Sequence, residues 1–154
     1  MNSQSALKLI NSIDQTITEV DSLTNVNPLI DSYFAKFLVV YICGVYEQTI
    51  ENILAEFTAA NSSRPEITNY VEKTLHRYFR NPDFSNLIKL IGTFSDTWKD
   101  EINKLTSQGL ALDSIVNNKN ALAHGQSITI TLNDIKQYYK ESRLIIDTID
   151  SFAF

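Results

Sequence analysis

The sequence predicts an all-α protein, an up-and-down bundle of about five to seven helices. Three observations carry that prediction. Apolar residues recur every three or four positions along most of the chain, the period of a helix with one buried face. Only 4 Gly and 3 Pro occur among 154 residues, too few for a sandwich or barrel of short strands, which needs a turn about every 8–12 residues. The prolines fall between periodic segments rather than inside them. The length fits a single domain over 1–154, large enough to hide roughly two-thirds of the unfolded chain's surface. No internal repeat, low-complexity tract or linker interrupts it.

The first helix is expected from about Ser5 to Leu23, with Leu7, Ile10, Ile13, Ile17, Val20 and Leu23 as its apolar stripe. Asn27-Pro28 reads as an N-cap followed by Pro in the first turn, opening a helix to about Ala60. Its middle, Phe34 to Tyr46, is apolar on nearly every side, so this helix should be central. Gly44 interrupts it at a cost of about 1 kcal/mol relative to Ala, and close approach of a neighbouring helix is the expected compensation. From Glu47 to Phe57 the pattern becomes amphipathic.

Asn61 to Pro65 is a loop into a third helix. Ile67, Tyr70, Val71, Leu75 and Tyr78 or Phe79 are its expected buried stripe, and Lys73, His76, Arg77 and Arg80 occupy another face. Asn81-Pro82-Asp83 stops it and starts the next, to about Phe94. Ser95-Asp96 leads into a short amphipathic turn with Trp98, Ile102 and Leu105, and Thr106 to Gly109 reads as a loop. Leu110 to His124 is helical in pattern, with Gly125 placed to end it. Ser127 to Ile130 could be extended. Thr131-Leu132-Asn133-Asp134 is a capping box with Asp in place of Glu or Gln, opening a last helix through Ile135, Tyr138 or Tyr139, Ser142, Ile145, Ile149 and Phe152.

Composition narrows the function. The chain is 44% apolar and carries a net charge of −5, which disfavours coating nucleic acid by bulk charge but leaves room for a small local site. The lone cysteine, Cys43, lies in an apolar run and points to a reduced, cytoplasmic setting. The first residues lack a basic region and a long apolar core, so no signal peptide is expected. No run approaches about 18 consecutive apolar residues, so no membrane span is expected. There is no Gly-rich phosphate loop, paired Cys or HExxH, and two His with one Cys make a metal site an unpromising reading. No metal or other cofactor is expected.

One segment says more than "helical bundle". In Asn117-Asn118-Lys119-Asn120-Ala121-Leu122-Ala123-His124-Gly125, polar residues and a cation crowd an otherwise apolar helical pattern. An Asn cluster is poor for helix propensity, so something other than local stability favours it. Lys119, Asn120, His124 and Gly125 resemble the motif of the HEPN superfamily, in which an Arg, commonly followed by Asn, precedes a His-Gly at a helix end. The departure is Lys119, where the family has Arg. The apolar helix VVYICGVYEQTIENIL and the segments ALDSIVNNKNALAHG and ITLNDIKQYYKESRLIIDTI resemble one branch, the RiboL-PSP-HEPN type, over roughly Ser32 to Ile149.

The resemblance implies an α-helical homodimer whose two His-bearing sites merge into one cleft. It also implies a metal-independent endoribonuclease of the toxin, antiphage-defence or RNA-processing kind. RNA would be the substrate, and a cognate antitoxin or defence-system protein a possible partner. Cleavage through the 2′-OH needs a proton acceptor, a proton donor and a cation on the phosphate. His124 suits the proton transfers, Lys119 the charge, and Asn120 can orient His124 or donate to a phosphate oxygen. Glu47, the acid beside the apolar part of the central helix, could hold Lys119 or polarise His124, or be an exposed acid. Asn120 and His124 share a helix face. Lys119 and His124 lie about 140° apart around an ideal helix, so the helix distorts, the Lys stem reaches round, or each site borrows from a partner.

Each candidate has an ordinary structural reading too. His124 could simply favour a helix C-terminus. Lys119 could be a surface lysine, lacking the fork that fits a phosphate. Lys73, Arg77 and Arg80 could track an RNA backbone or form a solvated face paired with acids. Tyr138 or Tyr139 could stack on a base, though one of them should be core, as should Trp98. The competing function is a non-catalytic module on the same scaffold that binds RNA or a partner protein.

Overall fold

The structure, a computed structural model, describes residues 1–24 and 27–154. Seven helices occur among them and no strand: α1 Gln4–Leu23, α2 Pro28–Asn61, α3 Pro65–Tyr78, α4 Phe84–Phe94, α5 Asp96–Asn103, α6 Thr106–Ala123 and α7 Leu132–Ala153. The chain is all-α, at the upper end of the expected helix count.

α2 organises the bundle. At 34 residues it is roughly 51 Å long at 1.5 Å per residue, and it packs against α1, α3, α6 and α7. By length and composition it could cross a bilayer. Here Leu38, Val39, Ile42, Tyr46, Ile50, Ile53 and Leu54 are fully buried in the bundle's own core. One apolar cluster draws side chains from all seven helices. Cys43 is buried in it, and burial above all pushes its thiol up to about 11, which makes it a packing residue.

Among the described residues the buried side-chain polar atoms other than Glu51 Oε1 are partnered, as burial demands. The Tyr46 hydroxyl donates to the Tyr139 carbonyl at 3.2 Å and shares a hydrogen bond with the Ser142 hydroxyl at 3.1 Å, tying α2 to α7. The Tyr139 hydroxyl and Arg143 both donate to Asp14, at 2.7 and 2.9 Å, tying α7 to α1. Asp150 is buried because it accepts from the backbone N–H groups of Asn2 and Ser3. Trp98 packs edge-on to Phe57 and stacks on Phe152, with centroids at 5.0 and 5.7 Å.

Helix ends follow local chemistry. Ser3, Asn27, Asp83 and Ser95 cap α1, α2, α4 and α5 with their side chains. The Thr131–Asp134 capping box opens α7 with both reciprocal bonds formed.

Four expectations change. α6 begins at Thr106, so Thr106 to Gly109 is its first turn and not a loop. Gly109 is buried there because the Phe84 ring lies on it: a Cβ would sit 2.4 Å from Phe84 Cδ1. Gly44 has the opposite character, since nothing lies within 4 Å of a Cβ built on it, and no neighbouring helix compensates for it within the chain. Residues 127–130 form no strand. In α3 only Leu75 is buried, with Phe79 just beyond it, while Ile67, Tyr70 and Tyr78 are exposed. The reason is position: of the other helices, α3 leans chiefly on α2, so one edge of its stripe suffices.

The two glycines therefore separate in a urea-unfolding experiment. Gly109→Ala is expected to lose about 1–3 kcal/mol through overpacking against Phe84. Gly44→Ala in the monomer is expected to gain about 1 kcal/mol from helix propensity.

Candidate active site at the junction of α2, α3 and α6

α6 leaves the core as it reaches the polar segment. Ala111, Leu112, Ile115 and Val116 are buried, and beyond Val116 no residue of the helix is. The helix stays regular to Ala123 and closes with two bonds: Gly125 N–H donates to the Leu122 carbonyl at 3.0 Å and Gln126 N–H to the Ala121 carbonyl at 2.9 Å. This pair is the Schellman closure. It needs a residue in the left-handed region, supplied by Gly125 at φ 72° without the steric cost of a Cβ. His124 is thereby fixed as the C-cap and exposed. Its side chain makes no hydrogen bond or ion pair among the described residues.

Lys119 turns the other way. Its Nζ donates to Asn81 Oδ1 at 2.6 Å and to Asn120 Oδ1 at 3.2 Å. Both acceptors are neutral, and no carboxylate forms an ion pair with Lys119 among the described residues, so its charge is held in place but not cancelled. Asn81 is itself positioned by the α3–α4 junction. Pro82 is buried, Asp83 caps α4 by accepting from Asn86 N–H at 2.9 Å, and Phe84 N–H donates to Asp113 of α6 at 2.7 Å.

Glu47 on α2 lies in the field of this cation, together with Glu51 one turn further along α2, His76 in the last turn of α3 and Arg80 just beyond that helix. His76 Nδ1 lies 3.5 Å from Glu51 Oε2, and Glu51 Oε1 is buried without a hydrogen-bond partner among the described residues. The Glu47 carboxyl is held above its ordinary value, first by burial and then by the neighbouring Glu51 charge. Arg80, Lys119 and His76 pull against that shift. Among the described residues no group of three His, Cys, Asp or Glu is arranged to hold a metal ion.

One chain thus brings Lys119, Asn120 and Glu47 together and adds Glu51, His76, Arg80 and Asn81. It does not bring His124 to Lys119. α6 does not distort, the Lys stem reaches Asn81 instead, and Glu47 lies in the field of Lys119 rather than beside His124. Lys73, Arg77 and Arg80 are exposed and form no ion pair among the described residues, whereas Lys104, Lys136 and Arg143 are each paired with an acid. Arg77 lies over the Tyr78 ring, 5.4 Å from its centroid. Tyr139 is buried and its hydroxyl occupied, so it offers no stacking face. Glu51 and Asn81 had no role assigned from sequence. The usable signal for Glu51 was its four-residue spacing from Glu47 along α2.

The RiboL-PSP-HEPN family model matches residues 1–153, and the chain belongs to that family. No curated protein and no solved structure matches it. Membership makes the chain a HEPN-type module, a class tied to RNA.

The raised Glu47 carboxyl has a consequence for pH. Burial and Glu51 favour its protonated form in the folded state, so the stability it contributes is full below the ordinary carboxylate pKa. That stability is lost as pH rises through the raised value. Glu47→Gln is expected to stabilise the protein to urea at pH 7, with the gain shrinking towards zero below the ordinary carboxylate range.

Proposed function

We propose that the chain is a metal-independent endoribonuclease of the toxin or defence type, acting in the cytoplasm as a homodimer. The observation that carries the reading is Lys119. It lies in the segment that resembles the family motif, held by two amides and in no ion pair among the described residues, next to Asn120 and about 1.4 helical turns before His124. A cation so held costs little reorganisation when negative charge grows on a phosphate.

In this reading the 2′-oxygen of a ribose attacks the adjacent phosphorus as His124 of one protomer takes the 2′ proton. The P–O5′ bond breaks as His124 of the second protomer protonates the leaving oxygen. The products are a 2′,3′-cyclic phosphate and a free 5′-hydroxyl. Lys119 neutralises the phosphoryl oxygens and Asn120 donates to them or orients the histidine. Glu47 sets the field around Lys119, and Lys73, Arg77 and Arg80 lead the flanking backbone in.

The homodimer is supported by α2. Tyr33, Phe37 and Val40 are exposed, and with Gly44, Glu47 and Glu51 they repeat at alternating spacings of four and three, the period of a helix-packing seam. A second copy laid along this stripe would cover apolar surface, use the open space at Gly44, and end at the charged cluster. It would also supply the histidine that one chain does not bring to Lys119.

A second reading, a binding module for RNA or for a cognate antitoxin or defence-system protein, draws on Lys119 itself. Lysine lacks the bidentate fork by which Arg grips a phosphate.

Cleavage of labelled RNA in EDTA decides between them. His124→Ala is expected to slow cleavage by about 10²–10⁴-fold with unchanged circular dichroism, and Lys119→Arg to accelerate it. Wild-type protein that leaves RNA intact, with Lys119→Arg equally silent, would move the chain to the second reading. Phe37→Glu is expected to convert a dimer into a folded monomer by light scattering and to abolish cleavage.

A further inference from the structure

A cleft of about 360 Å³ lies between α3 and α4, with Asn81 in its lining. Leu75, Phe79 and Leu90 give it an apolar floor, and Tyr78, Arg80 and Lys89 stand in its wall. No carboxylate lines it, in a chain whose net charge is −5. Tyr78 is 72% exposed although its position on α3 follows the apolar stripe. Burial in this chain therefore does not account for it. Arg77 lies over its ring, a cation–aromatic pair that stiffens the platform.

We infer that this cleft holds one unpaired base of the RNA, at a position flanking the phosphate bound by Lys119. The inference rests on the nuclease reading and extends it to the substrate: single-stranded RNA, or a loop, rather than a duplex whose bases are stacked inward. Three features fit a base. An aromatic face beside an apolar floor suits stacking, which is tolerant of sequence. Arg80 and Lys89 supply positive charge for the phosphates on either side. The volume is at the small end of ligand pockets, about 300–1,000 Å³, so it admits a base and not a helix.

Asn81 joins the two sites. It lines the cleft and its Oδ1 accepts from Lys119 Nζ at 2.6 Å. Tyr78 and Asn81 are three residues apart, at most ~11 Å of chain, so one strand can occupy both sites. A larger cavity of about 630 Å³ between the α1–α2 and α6–α7 connections has a different character. Its lining cation, Lys136, is already paired with Asp21, so it offers an anionic chain no unpaired cation among the described residues.

The test is binding of a short fluorescent oligouridylate, measured by anisotropy on the His124→Ala protein so that cleavage does not intervene. Tyr78→Ala is expected to weaken binding by about 5- to 150-fold, the range of one lost base–aromatic stack, and Tyr78→Trp to restore it. In a series with one abasic ribose moved along the strand, a single position should cost affinity with Tyr78 present and nothing with Tyr78→Ala. Binding that needs Lys119 but is indifferent to Tyr78 overturns the base cleft and leaves the RNA reading standing. Absence of any RNA binding at low salt overturns both. Because Tyr78 is exposed, its truncation should leave the unfolding midpoint unchanged, which separates a lost contact from a lost fold.

Discussion

A helix that is apolar on almost every side must be covered, and the structure is arranged around covering α2. α1, α3, α6 and α7 each pack against it, and α6 and α7 pack against each other as well. The hydrophobic gain is proportional to apolar area removed from water, so each neighbour needs only one greasy stripe while α2 supplies the rest. The polar ties between these helices follow from the same packing. Tyr46 reaches α7 and Asp14 receives Tyr139 and Arg143 because a hydroxyl or carboxylate brought against α2 or α7 must find a partner there.

Where the cover stops, the candidate site begins. The uncovered line on α2 runs from Tyr33 through Phe37 and Val40 to Gly44, and the same face continues into the partly covered Glu47 and Glu51, changing from apolar to acidic. The charged end meets α3 and the end of α6. There Glu47 is half-buried between a like charge, Glu51, and the cations Arg80 and Lys119. Its raised carboxyl is the electrostatic mark of a helix face that is neither core nor open surface. Perturbed groups of this kind gather at sites more often than elsewhere.

The acidic chain concentrates its usable positive charge by leaving certain cations unpaired. Lys104, Lys136 and Arg143 are spent on acids at the surface. Lys119 is gripped by two amide oxygens instead, which fix its position without opposing its charge. Arg80 and Lys89 flank the neighbouring cleft, whose wall holds no acid. A modest number of cations on one side can thus present a local field that the net charge conceals.

The sequence by itself determined the helices, most of their ends and the motif. Periodicity is local, and so are the caps at Asn27, Asp83 and Thr131 and the Gly125 closure, because each is settled by residues within one or two turns. The exceptions are instructive. Gly109 reads as a loop residue until Phe84, 25 positions away in sequence, is seen lying on it. Gly44 reads as a close contact until the space beside it is seen to be open. Tyr78 and Phe79 are interchangeable in the pattern, and only the lean of α3 against α2 decides that Phe79 goes in and Tyr78 stays out. The site divides in the same way. Lys119, Asn120 and His124 were legible because the motif is contiguous, and Glu47 because it stands beside an apolar run. Asn81, Glu51 and the cleft beside Tyr78 were not, because they join the site through the packing of α3 and α4. Contacts across helices depend on crossing geometry and rotation, and no local spacing encodes those.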